Sequence, residues 1–347
     1  MSAQIVLSGI RATGRLHIGN YLGAIRFFAE LAEKPDYRCF FFIANLHTLT
    51  TREESEAIEA DMREIVRWYL AAGIDPARHV IYAQSSVPEI TELTWLLMCL
   101  VGMGELDRLP HFKEKRDEMA AGGNPPNAGI YTYPVLMAAD ILAPSAHLVP
   151  VGEDQHPHVE LARTLARRFN KMVGEELFPV PDLMDGPGVR VPGLKGTGKM
   201  GKSHPESTIS LDETPDVIMK RCRRADKKLP PTPSLPDPVE PRVGASPGEP
   251  EICRVFQLHT LLPGDVTREL QLRNACKSGD IECGACKTDL GDRIVNLLAP
   301  LQERYRAIKA QGDDYIEAIL HDGGRRAREH IAPTVARAKH LMGVRGV

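Results

Sequence analysis

The chain has 347 residues, 43% of them hydrophobic and 26% charged. That is apolar material for about two domains, and it excludes a disordered or fibrous chain. The longest uninterrupted apolar run, residues 95–101, is less than half of the roughly 18 residues that a bilayer span requires. The N-terminal stretch has no basic region before its apolar residues, which Ser8 and Gly9 interrupt. No secretory signal is therefore expected, and the cytoplasm is the expected compartment.

A net charge of −3, from 43 Lys and Arg against 46 Asp and Glu, excludes wholesale coating of nucleic acid. Any contact with RNA is left to local patches, of which 219–228 and 323–347 are the densest. Taken alone, such clusters read as solvated faces.

In chain order, short apolar runs predict strands at 4–8, 37–44, 79–83 and 147–151. Helices are predicted between and after them, at 19–33, 52–72, 89–101 and 153–170. In the second of these, Ile58, Met62, Ile65, Val66 and Tyr69 fall on one face. Strand and helix alternating in this way specify an α/β fold with a Rossmann-like parallel sheet. Glycine and proline break the pattern across 184–205, and helical segments dominate after Glu213, so a domain boundary is expected near 205–212. The expected division is a catalytic domain over 1–208 and an α-helical C-terminal domain over 209–347. The proline-rich stretch 229–250 is neither helix nor central strand and reads as an extended connection.

The first strand leads into SGIRATGRLHIGNYLGAI, with Gly9, Gly14, Gly19 and Gly23 around a strand-to-helix turn. Backbone N–H groups and a helix N-terminus at such a turn favour a phosphate. His17 and Asn20 lie three apart on one helical face, and both can donate to phosphate oxygens as negative charge builds. A surface histidine and a capping asparagine are the plain alternative. About 180 residues further on, GTGKMGKSHP sets Lys199 and Lys202 three apart in a glycine-rich loop. Such a loop can close over a triphosphate and neutralise the departing pyrophosphate.

Together the two segments resemble the HIGH and KMSKS signatures of class I aminoacyl-tRNA synthetases. Asn20 stands where the second histidine is usual and keeps a donor. Gly201 stands where serine is usual, so the loop loses a hydroxyl and is expected to be looser. The segment IYTYPVLMAADILAPSAHLVPVGEDQHPHVELARTLARRFN is similar to the tryptophan-specific family of that class, and the resemblance extends from Ser8 to about Ser210. It implies ATP-dependent activation of L-tryptophan and its transfer to tRNA(Trp) by a homodimer, with Mg2+ accompanying ATP. His17, Asn20, Lys199 and Lys202 are then the catalytic residues.

Tyr133, Met137 and Asp140 recur at i, i+4 and i+7, one face of a helix. Asp140 can accept an indole N–H, Met137 can pack against the ring, and the resemblance implies that Tyr133 and Gln155 hold the ammonium, with Gly9 beside them. Core packing is the bland reading of Tyr133 and Met137. A carboxylate between Ala139 and Ile141 needs a partner if it is buried. The resemblance also carries ATP contacts onto Arg11, Ala12, Thr13, Gly19, Asn20, Gly152, Glu153, Asp154, Val191, Lys199, Met200, Gly201, Lys202 and Ser203. The segment ELDRLPHFKEK adds Lys113 and Lys115 as phosphate ligands. A metal site at His156 and His158 is not expected, because two residues i, i+2 on a helix do not face one ion. A tyrosine-specific enzyme of the same class, a nucleotidyltransferase without tRNA, and a non-catalytic regulator binding tryptophan and ATP are the competing readings.

Seven cysteines include a group of four, Cys253, Cys276, Cys283 and Cys286, spaced C-x22-C-x6-C-x2-C. In a reducing compartment that clustering favours a metal centre over disulfides. Zinc prefers paired knuckles and here only one close pair exists, whereas a cubane takes one thiolate at each iron. The spacing resembles that of bacterial tryptophan-specific synthetases with a [4Fe-4S] cluster, zinc being the alternative. Such a cluster would staple the helical domain, and Arg273, Lys277 and Lys287 beside the ligands could meet the anticodon loop of tRNA.

Overall fold

The computed structural model describes residues 3–51, 55–109, 126–186, 191–195, 198, 200–201, 205–226, 247–264 and 266–344. Five parallel strands form one sheet in the order β3-β2-β1-β4-β5. They are β1 (Gln4–Ile10), β2 (Tyr37–Ile43), β3 (Val80–Ala83), β4 (Leu148–Val151) and β5 (Asp182–Asp185). The fifth strand was not expected from the sequence. It is a four-residue edge strand whose ends are aspartates, and it is held by pairing with β4 from Leu148↔Asp182 to Val151↔Asp185.

The strand order reverses between β1 and β4: β1 pairs in parallel with β2 on one side and with β4 on the other. In such sheets ligands bind outside the carboxyl ends of the strands at that reversal. The hydroxyl of Ser8 bonds the Pro150 carbonyl at 3.1 Å and ties the two central strands together there.

The helices follow the expected sequence with altered ends. The first is interrupted, with a turn at Ile18–Asn20, a π-helical turn at Tyr21–Ile25 and then α1 (Arg26–Glu33). Next come α2 (Ser55–Ala71), α3 (Glu89–Met98), α4 (Ala128–Leu142) and α5 (His156–Val173). The last of these starts after a 3₁₀ turn at Glu153–Gln155 and ends at Gly174 in the left-handed conformation, φ 70°. The C-terminal half is helical as expected: α6 (Pro215–Arg223), α7 (Arg254–Leu261), α8 (Val266–Ser278), α9 (Cys283–Lys309) and α10 (Asp313–Leu341). The extended connection expected at 229–250 lies largely outside the described residues.

Two compact units are present, and each is discontinuous in sequence. The first comprises Met1–Gly14, Phe28–Gly188 and Ile308–Val347; the second comprises Arg15–Phe27 and Val189–Ala307. This division by compactness differs from a single cut near residue 208. The first unit holds the sheet, buried on both faces as a parallel sheet requires. One face, with Leu7, Phe40, Phe42, Val80 and Tyr82, packs on apolar residues of α3, α4, α5 and α10. On the other face Phe28 stacks on Phe41 with ring centroids 5.1 Å apart, and Tyr69 meets both edge-on.

α10 belongs to the first unit because two glycines let it lie directly on β3. A Cβ on Gly323 would overlap the Ile81 carbonyl, and one on Gly324 would come 2.6 Å from Ser86 Oγ. Much of the basic C-terminal patch is spent on this docking. Arg328 pairs with Glu89 at 2.7 Å, Lys339 with Glu92 at 2.9 Å, and Arg337 with Glu175. In the second unit, α6 packs on α9 where Gly291 makes room for Met219, and Gln302 donates to the carbonyls of Leu211 and Glu213 at 2.7 and 2.9 Å.

Because the neighbour of Gly323 is backbone and cannot yield, Gly323→Ala is expected to destabilise the protein by about 1–3 kcal/mol. Chemical denaturation of purified protein reads this, and an unchanged midpoint would show that α10 does not need that close approach.

Candidate active site

In the first unit, α4 starts under Asn127, whose side chain accepts the Ile130 N–H, and it carries Tyr133, Met137 and Asp140 on successive turns. Asp140 is fully buried. Gln84 Nε2 donates to both of its oxygens at 2.8 Å, and His47 Nε2 lies 3.0 Å from Oδ2. Burial pushes the carboxyl group above its usual range, while the hydrogen bonds from His47 and Gln84 pull against that shift. The partner demanded by a buried carboxylate is thus present within the protein, and these three bonds leave lone-pair capacity on Oδ1 for another donor.

Neither partner was picked out from the sequence. His47 follows β2 and Gln84 follows β3, 56 and 93 positions from Asp140 in reverse order. The available signal was polar side chains just past the carboxyl ends of parallel strands. His47 also meets Tyr133 edge-on at 6.1 Å between centroids. The Tyr133 hydroxyl in turn hydrogen-bonds His158 Nε2 at 3.1 Å. His158 is therefore a buried partner of Tyr133.

Burial raises the Tyr133 phenol to about 12, with the Arg11 charge lowering it and Asp154 raising it. Arg11 and Asp154 therefore both act on Tyr133, and Gln155 Nε2 donates to Asp154 at 2.9 Å. The structure thus gathers Arg11, Tyr133, Asp140, Asp154 and Gln155 with His47, Gln84 and His158 in one unit. Met137 packs against the apolar core. Gly9 has a structural reason of its own: a Cβ there would come 2.7 Å from the Phe42 carbonyl and ring. Ala12 is fully buried, and Thr13 N–H closes a turn onto the Arg11 carbonyl at 2.9 Å. Gly152 caps the turn that holds Glu153 and Asp154.

In the second unit, the first signature pairs through its backbone with residues 209–211, which follow the second signature in the chain. His17 forms an antiparallel bridge with Ser210. On either side, Ile18 N–H bonds the Ile209 carbonyl at 2.9 Å and Leu211 N–H bonds the Leu16 carbonyl at 3.0 Å. Asn20 Oδ1 accepts the His17 N–H at 3.0 Å. The capping role is realised, and it leaves the amide NH2 as the donor that Asn20 presents. Gly19 is needed for a close approach, since a Cβ would sit 2.8 Å from His17 Nδ1 and 3.6 Å from Val191 Cβ. Val191 reaches the second signature through its carbonyl, which accepts the Met200 N–H at 2.9 Å.

The expected loosening at Gly201 is countered by Thr208. Its hydroxyl accepts the Gly201 N–H at 3.2 Å and donates to the Gly201 carbonyl at 3.0 Å. Lys113, Lys115, Lys199, Lys202 and Ser203 lie outside the described residues.

The four cysteines of the second unit come from three elements: Cys253 before α7, Cys276 on α8, and Cys283 and Cys286 on the first turn of α9. All four are half-buried. Burial raises the Cys286 thiol to about 12, and Cys253, Cys276 and Cys283 each push it the same way, so the four thiols share one neighbourhood. Among the described residues no group of three or more His, Cys, Asp or Glu side chains is arranged to hold a metal ion, so the expected cluster site is not seen as a formed metal site. His259 is buried and lowered to about 4, chiefly by that burial, and lies 3.5 Å from Cys286 Sγ. Of the cations beside the thiols, Lys277 is exposed, Arg273 is half-buried over the Phe256 ring, and Lys287 is buried.

Comparison with known proteins agrees with this geometry. The family model for class I tRNA synthetases of the W and Y type matches residues 2–299. A tryptophan–tRNA ligase of Porphyromonas gingivalis is 39% identical over 99% of this chain and 100% of its own length. One from Caulobacter vibrioides is 39% identical over 98% and 96%. A tryptophanyl-tRNA synthetase from Campylobacter jejuni, solved with ADP and tryptophan, superposes with a TM-score of 0.80 at 30% identity, covering 98% of this chain and 100% of that one. The chain belongs to the class I tRNA synthetases of the W and Y type, among the tryptophan–tRNA ligases.

Proposed function

We propose that the chain activates L-tryptophan with MgATP and charges tRNA(Trp). A tryptophan carboxylate oxygen attacks the α-phosphate, the bond to the β-phosphate breaks, and pyrophosphate leaves tryptophanyl-adenylate. The 2′-hydroxyl of the terminal tRNA ribose then takes the acyl group and releases AMP. No protein nucleophile is needed; the work is positioning and stabilisation of developing charge.

The observation that carries the substrate is the buried Asp140 carboxylate, fixed by Gln84 and His47. It accepts the indole N–H, while Met137 packs on the ring and Tyr133 and Gln155 hold the ammonium. Tyrosine offers no N–H at that position, and a site built to bond such a group rejects a substrate lacking it. His17 and Asn20 donate to the phosphates, and Lys199 and Lys202 neutralise the pyrophosphate. Arg11, Ala12, Thr13, Gly19, Gly152, Glu153, Asp154, Val191, Met200, Gly201 and Ser203 cradle the nucleotide, with Lys113 and Lys115 reaching its phosphates.

The region 209–347 serves tRNA recognition in this reading. Arg273, half-buried, and Lys277, exposed, supply cations on α8, each beside Glu251. Lys195, Lys220, Arg221 and Arg224 line a cleft of about 250 Å3 with Glu206 and Val217, suited to an RNA backbone. Exposed Trp95 and Met103, 65% and 69% accessible, support a homodimer. Among the described residues no helix is long and apolar enough to cross a membrane, and a cytoplasmic enzyme of translation is proposed.

Cys253, Cys276, Cys283 and Cys286 are assigned a [4Fe-4S] cluster on the strength of their number and spacing, and they come from three elements of the helical region. The cluster would cross-link those elements in a short helical region. In this role it supplies structure, and neither step of the reaction passes through it.

Tryptophan-dependent pyrophosphate exchange tests the assignment. Asp140→Asn is expected to raise the KM for tryptophan by about 10- to 100-fold, and Lys202→Ala to lower the exchange rate by about 10², each sparing the other substrate. Exchange supported by tyrosine as well as by tryptophan would contradict it. Anaerobically purified protein is expected to carry about four iron and four sulfide per chain; stoichiometric zinc in their place would overturn the cluster.

A further inference from the structure

The two turns that supply the donors to Asp140 are fastened to each other by side chains that do not themselves bond Asp140. After β2 the chain turns over Asn45–Thr48, and after β3 it makes a 3₁₀ turn over Gln84–Ser86. Asn45 Oδ1 accepts the Ser85 N–H at 3.1 Å, and Asn45 Nδ2 donates to Ser85 Oγ at 2.8 Å. One residue further in, the Leu46 N–H donates to Gln84 Oε1 at 3.1 Å. The next rung is Asp140 itself, met by His47 Nε2 at 3.0 Å and by Gln84 Nε2 at 2.8 Å.

Donor chemistry fixes the direction of both amides. A backbone N–H can only donate, so the Leu46 N–H holds the oxygen of Gln84 and turns its NH2 group onto the carboxylate. The Ser85 N–H holds the oxygen of Asn45 in the same way and turns its NH2 group onto the Ser85 hydroxyl. The pairings thus run as a short ladder from the surface, where Ser85 is exposed and Asn45 half-buried, to the fully buried Gln84 and Asp140. At the exposed end water is an equal partner, and a neutral hydrogen bond there adds little to stability. What the outer rung supplies is register between the two turns. On its far side the Gln84 turn has no room to retreat, because α10 lies on it: a Cβ on Gly324 would come 2.6 Å from Ser86 Oγ. The outer rung closes the side that α10 leaves open.

We propose that Asn45 and Ser85 are positioning residues for tryptophan selection, holding the turns after β2 and β3 at the spacing from which Gln84 and His47 aim the Asp140 carboxylate at the indole N–H. This rests on the reading that Asp140 accepts that hydrogen. Without the outer rung the two turns are free to separate, and a carboxylate whose donors move no longer presents one fixed lone pair. A hydrogen bond that selects a substrate needs that fixity, whereas packing on an aromatic ring does not. Affinity for tryptophan therefore falls further than affinity for a ring without the N–H.

The test uses the full chain, with calorimetric binding of tryptophan and of its benzothiophene analogue, which has sulfur in place of the indole N–H, and with pyrophosphate exchange for kcat and KM. Asn45→Leu removes both outer bonds at similar volume. It is expected to weaken tryptophan binding about fivefold and analogue binding by less than about twofold, with kcat and the KM for ATP within about twofold. Asn45→Asp is the rescue, because its carboxylate accepts both the Ser85 N–H and the Ser85 hydroxyl hydrogen, and it should return the preference for tryptophan to within about twofold of the original. Ser85→Ala removes one of the two bonds and should fall between.

A preference for tryptophan that Asn45→Leu retains in full, an equal loss for both ligands, or no recovery in Asn45→Asp would each overturn the proposal while the Asp140 reading stands. If Asn45→Leu does not fold, Ser85→Ala is read by the same criteria. Equal binding of the two ligands by the unsubstituted protein overturns the Asp140 reading, and the proposal with it.

Discussion

A carboxylate taken wholly out of water must be surrounded by donors, and the placement of Asp140 imposes that requirement on the whole first unit. The effective penalty for burying the charge is several kcal/mol. Three hydrogen bonds to a charged acceptor, each contributing about 1.5–3 kcal/mol, are of the size needed to offset it. Gln84 and His47 provide them from just beyond β3 and β2, so the strand order itself brings the donors to α4. The result is a fixed acceptor in an apolar surrounding, the type of group that discriminates an N–H donor from a ring without one. The Tyr133–His158 bond extends the same arrangement toward Arg11, Asp154 and Gln155.

The nucleotide signatures obey a different constraint, that of backbone pairing. The strand-like contact of His17 with Ser210 makes the first signature and the return limb of the second a single hydrogen-bonded frame. Substitutions in the signatures are accommodated within that frame. Asn20 uses its oxygen on the His17 N–H and keeps its NH2 group, and Thr208 supplies the hydroxyl that Gly201 lacks.

Most of the sheet could be read from the sequence because buried parallel strands are nearly continuous apolar runs, as in the YRCFFFI of β2. β5 could not, since two apolar residues between aspartates carry no periodicity and only pairing with β4 makes them a strand. The π-helical turn at Tyr21–Ile25 likewise has no signal at the level of residue pattern. The C-terminal half was legible as helical, but the docking of α10 on β3 depends on Gly323 and Gly324, which in sequence merely weaken a helix. In the site, Asp140 announced itself as a charge among apolar residues, and the four cysteines by their spacing. His47 and Gln84 were marked only as polar residues just past strand ends, and it is the strand order that joins them to Asp140. Lys287, read as a surface cation, is buried because two backbone carbonyls receive it.

The most direct measurement is calorimetric binding of tryptophan against its benzothiophene analogue, in which sulfur replaces the indole N–H and little else changes. If Asp140 accepts that hydrogen, the analogue binds at least tenfold more weakly to the unsubstituted protein, and the difference disappears in Asp140→Ala. Equal affinities in the unsubstituted protein would contradict the assignment of Asp140 as the residue that selects tryptophan.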